Sequence, residues 1–216
     1  MSRKNFKFTQ SLQKQLFDWT KHFIHKKKFL ILLTLLLKTQ YFLFRLNFFE
    51  NCEVNRLVKM VSKCSLHKFT EKTLSANYKQ ALFSFFFTVV QLPVKIWTGS
   101  FLKVILKCFA QKRAIKLLLG LINTPLEKIY FLQLEKLARD KELSRTVVLV
   151  LKELIFVKGK TKATKESCKS FLKTVYEASK IDENASLVNE TIKFLEESKG
   201  FDLDQGLLNS IKLNIH

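Results

Sequence analysis

Side chains able to do chemistry are few and scattered in this chain. His22-x-x-His25 and Cys64-x-x-His67 place imidazole and thiol one helical turn apart, the spacing of zinc ligands. A closed site needs about four such ligands. Each motif supplies two, in basic surroundings that repel a cation. No metal and no cofactor is the expectation, with buried thiols and surface imidazoles in their place. Cys52, Cys108 and Cys168 stand apart from one another and from Cys64, so no C-x-x-C pair forms. Glu50 and Glu53 share a helix face, but nothing near them supplies a nucleophile or an orienting partner. Gly99, Gly120, Gly159, Gly200 and Gly206 are too dispersed for a phosphate loop. Asn184-Ala-Ser186 and Asn189-Glu-Thr191 match glycosylation sequons, inert outside the secretory route. The expectation is a protein that is not an enzyme, with no catalytic residues.

One group of side chains suggests binding. Lys95, Lys103, Lys107, Lys112 and Arg113 join an apolar run to a basic face, the arrangement expected to meet anionic headgroups and acyl chains. Solvated lysines on a surface helix are the alternative. The stretch that positions these residues, Gln80 to Ile122, begins with fifteen uncharged residues and then carries Lys103, Lys107, Lys112 and Lys116 at helical spacing. As a single helix, residues 80–102 would span about 34 Å, against a hydrocarbon core of about 30 Å. Pro93 interrupts that run, and a proline there kinks or ends a helix. In that case neither piece spans alone. A second apolar segment, Phe29 to Phe49, is rich in Leu and Phe but carries Lys38 near its middle, which demands water or a partner. Neither segment contains the carboxylate that a transporter or pump would need.

Around these segments the chain reads as helix throughout. Five Gly and two Pro in 216 residues leave little turn chemistry for strands. Phe8, Leu12, Leu16, Trp19 and Phe23 fall on one helical face, with Lys7, Lys14 and Lys21 on another. Basic, amphipathic and poor in acids, this start has the character of a mitochondrial targeting signal, read here as uncleaved, or of an interfacial helix. Val54, Leu57, Val58 and Val61 make an inner face opposite Arg56, Lys59, Lys63 and His67. From Thr124-Pro125-Leu126-Glu127, a capping box with Pro at the first helical position, soluble-helix grammar takes over. Leu126, Ile129, Tyr130, Leu134 and Leu137 give that helix its inner face. Asp140, Thr161 or Thr164, and Asp182 are candidate caps for the helices that follow, with Gly159 and Gly200 as stops. Their faces are Leu143, Val147, Val150, Leu151 and Leu154, then Cys168, Phe171, Leu172 and Val175, then Val188, Ile192 and Leu195. Asp140, Thr161 and Asp182 recur every 21 residues, as do Ile129, Val150, Phe171 and Ile192. The interval suits either a small bundle or a short HEAT-like helical repeat.

Charge separates the halves. Residues 1–123 hold 22 Lys and Arg against 4 Asp and Glu, while residues 124–216 hold 16 against 14. A half that is both cationic and apolar points to an anionic membrane or to nucleic acid. The expected fold is all-α: membrane-associated N-terminal helices over 1–123, then a near-neutral aqueous domain over 124–216. In composition and layout the chain resembles lineage-specific accessory subunits of mitochondrial respiratory-chain or ATP-synthase complexes. The resemblance implies a non-catalytic subunit at the mitochondrial inner membrane, partnered by other subunits and by anionic lipid such as cardiolipin. The alternative is a basic RNA-binding protein such as a mitochondrial ribosome component. Against it, Phe48-Phe49 and Phe85-Phe86-Phe87 cluster in uncharged runs and do not alternate with Lys and Arg.

Overall fold

The computed structural model describes residues 14–15, 18–42, 51–92, 99–122, 127–156, 165–198 and 204–215. All regular structure among them is helical. The chain forms two compact units, Met1–Phe109 and Ala110–His216.

The first unit holds α1 (Lys27–Phe42), α2 (Asn51–Thr70), α3 (Ala76–Val89) and α4 (Gly99–Cys108), with α1 packed on α3 and α2 on α4. Helix α2 buries Val54, Leu57, Val58 and Val61 and leaves Arg56, Lys59, Lys63 and His67 exposed, as the spacing predicts. Two residues past its end stands Lys72, whose φ of 57° is left-handed; Thr73 N–H bonds to Lys68 O at 2.9 Å and Lys72 N–H to Phe69 O at 3.0 Å. That pair of bonds is a Schellman cap with lysine where glycine usually sits. Ser75 then caps α3, its Oγ accepting from Tyr78 N–H at 3.2 Å. Helix α3 stops at Val89 and α4 begins only at Gly99. Residues 80–102 are therefore not one 23-residue helix. The break falls where a proline would cost the ladder a donor and clash with the preceding turn. Among the described residues no helix is long and apolar enough to cross a membrane. Positions 43–49 of the other apolar segment lie outside the described residues.

The phenylalanines of α3 and α4 fill this unit's own core. Phe85, Phe86 and Phe101 are fully buried, and the Phe86 ring meets Phe101 edge-on at 4.7 Å and Phe109 at 6.4 Å. Leu30, Leu33 and Leu37 of α1 join them. Two polar side chains of this core are satisfied by their own helices: Thr34 Oγ1 donates to Leu30 O at 2.7 Å and Ser65 Oγ to Val61 O at 2.8 Å. The turn ahead of α1 is fixed by Tyr78 Oη, donating to Ile24 O at 3.1 Å, and by Lys68 Nζ, donating to His25 O at 2.8 Å.

The second unit contains α5 (Gln111–Ile122), α6 (Glu127–Leu137), α7 (Ser144–Phe156), α8 (Lys165–Ser179), a 3-10 turn (Asp182–Asn184), α9 (Ala185–Glu197) and α10 (Gln205–Leu213). Helix α5, grouped by charge with the N-terminal half, belongs here and buries Ala114, Leu117, Leu118 and Leu121. Helix α8 is the hub, packing on α6, α7, α9 and α10 through Phe171, Leu172, Val175 and their neighbours. On α6 the predicted face buries Tyr130, Leu134 and Leu137 and half-buries Ile129; Leu143, Val147, Val150, Leu151 and Leu154 are buried at and along α7, and Val188, Ile192 and Leu195 on α9. The tail docks as α10, with Leu208 and Ile211 buried and an Asp204 cap accepting from Leu207 N–H at 3.1 Å.

Two caps act differently from the expectation. Asp140 Oδ1 accepts from Glu142 N–H at 3.1 Å, which closes a turn three residues before α7 begins. Asp182 opens the 3-10 turn, and α9 starts only after Asn184. Thr161, Thr164, Gly159, Gly200 and the box residues Thr124, Pro125 and Leu126 lie outside the described residues. The four helices from α7 onward begin at residues 144, 165, 185 and 205, close to the 21-residue interval.

Candidate interaction surface

Several acids of the second unit tie one element to another. Glu177, buried, receives Arg139 Nε at 3.0 Å and Lys180 Nζ at 3.1 Å. Lys141 pairs with Glu183, Lys152 with Glu190 at 3.2 Å, and Gln111 Nε2 donates to Glu153 at 2.8 Å. Apart from Lys180–Glu177, partners in these links are 38 to 42 residues apart, the separation expected when an element packs on the one two places further on. Lys141 holds the Glu183 carboxyl below the usual carboxylate range and is itself raised. Asn184 of the first sequon is buried, its Nδ2 donating to Ser144 Oγ at 2.8 Å and Ala178 O at 3.2 Å. A glycan there would break both bonds. Asn189 of the second sequon is exposed.

The paired-ligand motifs take separate partners. His67 Nδ1 lies 3.1 Å from Glu71, whereas Cys64 is half-buried near Tyr78. His22 and His25 are both exposed. Among the described residues no three His, Cys, Asp or Glu side chains are grouped to hold a metal ion. Burial raises the thiols of Cys64 and Cys168 and pushes Cys108 up to about 11. A thiol kept protonated in this way is a poor nucleophile. Of the Glu50–Glu53 pair, Glu50 lies outside the described residues.

The five predicted lipid-contacting residues are not brought together on one unit. Lys103 and Lys107 are half-buried on α4 of the first unit; Lys112 and Arg113 are exposed on α5 of the second; Lys95 lies outside the described residues. Lys103, Lys107 and Arg113 each have interactions within the fold.

A different surface emerges on α1. This helix is apolar on two sides: Leu30, Leu33 and Leu37 are buried, while Ile31, Leu32 and Leu35 are 41%, 43% and 54% exposed. At 100° per residue the buried set and the exposed set fall on opposite halves of the helix. Lys28, Ile31, Leu35 and Lys38, at spacings of 3, 4 and 3, form one outer strip with a lysine at each end and Leu32 alongside. Lys38, the obstacle to a spanning reading, is exposed at the end of this strip. Just ahead of α1, Trp19 and Phe23 are also exposed, and the Phe23 ring lies 6.3 Å from Phe29 at the start of the helix. Lys26 Nζ sits 5.3 Å from the Phe23 ring. The sequence carried this strip in its 3-4-3 spacing, but with apolar residues all round the helix nothing marked which side was the outer one.

Set against known protein families, curated proteins and solved structures, the chain matches none.

Proposed function

We propose that the protein is a non-catalytic accessory subunit of a membrane complex, placed at the mitochondrial inner membrane in the respiratory chain or the ATP synthase. It works by holding lipid and neighbouring subunits. The observation that supports this reading is the outward strip of α1. Ile31, Leu32 and Leu35 are clustered apolar side chains left in water on a helix whose other side is already packed. The helical ladder of the second unit, a bundle or a HEAT-like stack, offers further faces to a partner. RNA binding is less well supported, because the phenylalanine cluster Phe85, Phe86 and Phe101 is buried and offers no ring to a base.

The test is affinity purification of the tagged full chain from its native organelle in mild detergent, alongside alkaline carbonate extraction. Co-purification with integral subunits of one complex, and retention in the membrane pellet, are expected. Release by ribonuclease, or recovery as a free soluble chain, would overturn the reading.

A further inference from the structure

We infer that the outer strip of α1 is an interfacial docking surface for an anionic lipid bilayer, with the helix lying in the membrane plane. The inference deepens the accessory-subunit reading by naming what covers this face.

Three observations select the occupant. Helix α1 has 16 residues, about 24 Å, short of the roughly 30 Å hydrocarbon core, and its inner side is committed to α3. Its described residues are placed to lie along a bilayer, and among the described residues no helix is long and apolar enough to cross one. Next, the strip ends in lysines about 15 Å apart, Lys28 and Lys38, with Ile31, Leu32 and Leu35 between them. Long lysine stems lie along apolar surface and lift the ammonium to the phosphates, the geometry of an in-plane helix. Trp19 and Phe23 add rings of the kind that settle at headgroup depth.

The third observation is charge. No Asp or Glu occurs between Asp18 and Glu50, and α3, against which α1 packs, has none either. Lys26, Lys27, Lys28 and Lys38 are exposed around the strip, so the field there is positive. A second copy of this chain would bring another +20 against it, which disfavours self-association through this face. An anionic leaflet supplies both the apolar layer and the negative surface that the strip combines.

The test uses the purified full-length chain and sucrose-loaded vesicles of phosphatidylcholine, with and without phosphatidylglycerol. The wild type is expected to sediment with the anionic vesicles and not with the neutral ones, and to be released as salt rises. The double variant Leu32→Asn/Leu35→Asn should lower the partition coefficient by about tenfold or more. Lys28→Gln/Lys38→Gln should lower it roughly tenfold on anionic vesicles. All four side chains are exposed, so the helical circular dichroism should be unchanged in both variants. Failure of the wild type to bind anionic vesicles, or unchanged binding of the leucine variant, would overturn the inference. So would a photocrosslinker at Leu35 that labels protein or RNA in the organelle and not lipid. The two readings fail separately. Vesicle binding without co-purifying subunits would remove the accessory-subunit reading alone, and co-purification without vesicle binding would remove this inference alone.

Discussion

At the scale of single residues, buried polar atoms make the sharpest predictions. Ser62 Oγ is the buried side-chain polar atom with no hydrogen-bond partner among the described residues. An unmet hydroxyl costs about 1–3 kcal/mol, so Ser62→Ala should raise stability by roughly 1 kcal/mol, read as an increased urea midpoint at unchanged slope. Cys108 gives a pH effect. Its thiol ionises near 9.0 when free and is pushed up to about 11 by burial in the fold. The folded state therefore binds the proton more tightly, and that contribution is complete below pH 9. It is lost as pH rises toward about 11, because the unfolded chain gives up the proton first. The urea midpoint should fall over that window, and Cys108→Ala should flatten the fall. An equal slope in both proteins would show that the thiol contributes nothing. Buried thiols were expected, and Cys108 is one, but nothing in the sequence marked Ser62 as a buried hydroxyl without a partner.

Elements were more legible than their ends. Periodicity named the inner faces of α2, α7 and α9 because one side of each helix meets a core and the other meets water. Proline at position 93 announced the break between α3 and α4, which removed the spanning geometry. The end of α2 was invisible because its left-handed residue is Lys72 and not glycine. A non-glycine residue in that region costs about 1 kcal/mol, so Lys72→Gly should stabilise by roughly 0.5–1 kcal/mol. Hydrogen exchange at the last turn of α2 should slow correspondingly. Destabilisation instead would show that the lysine side chain makes a contact that outweighs its backbone strain.

For the whole molecule, charge and packing divide the chain at different places. The charge gradient changes near residue 123, whereas the compact units meet at Phe109 and Ala110. The first unit carries 19 Lys and Arg against 4 acids, and the second 19 against 14. Because α6, α7, α9 and α10 pack on α8 and α5 packs on α6 and α7, a fragment of residues 110–216 should be helical and unfold in one cooperative urea transition. A gradual loss of helix with no sigmoidal midpoint would show that this unit depends on the rest of the chain.

Composition and periodicity by themselves determined that the chain is helical and that its first half is cationic and apolar. These properties follow from residue type and spacing, which local physics reads directly. Where the apolar surface goes had to wait for the tertiary structure. Phe85, Phe86 and Phe101 look equally at home in lipid or in a protein interior, and the packing of α1 on α3 and α2 on α4 put them inside. The same packing can cover only one side of α1, leaving Ile31, Leu32 and Leu35 outside between Lys28 and Lys38. Hydrophobicity is non-directional, so the sequence states how much apolar area must leave water, and the arrangement of neighbours decides which part remains for a partner.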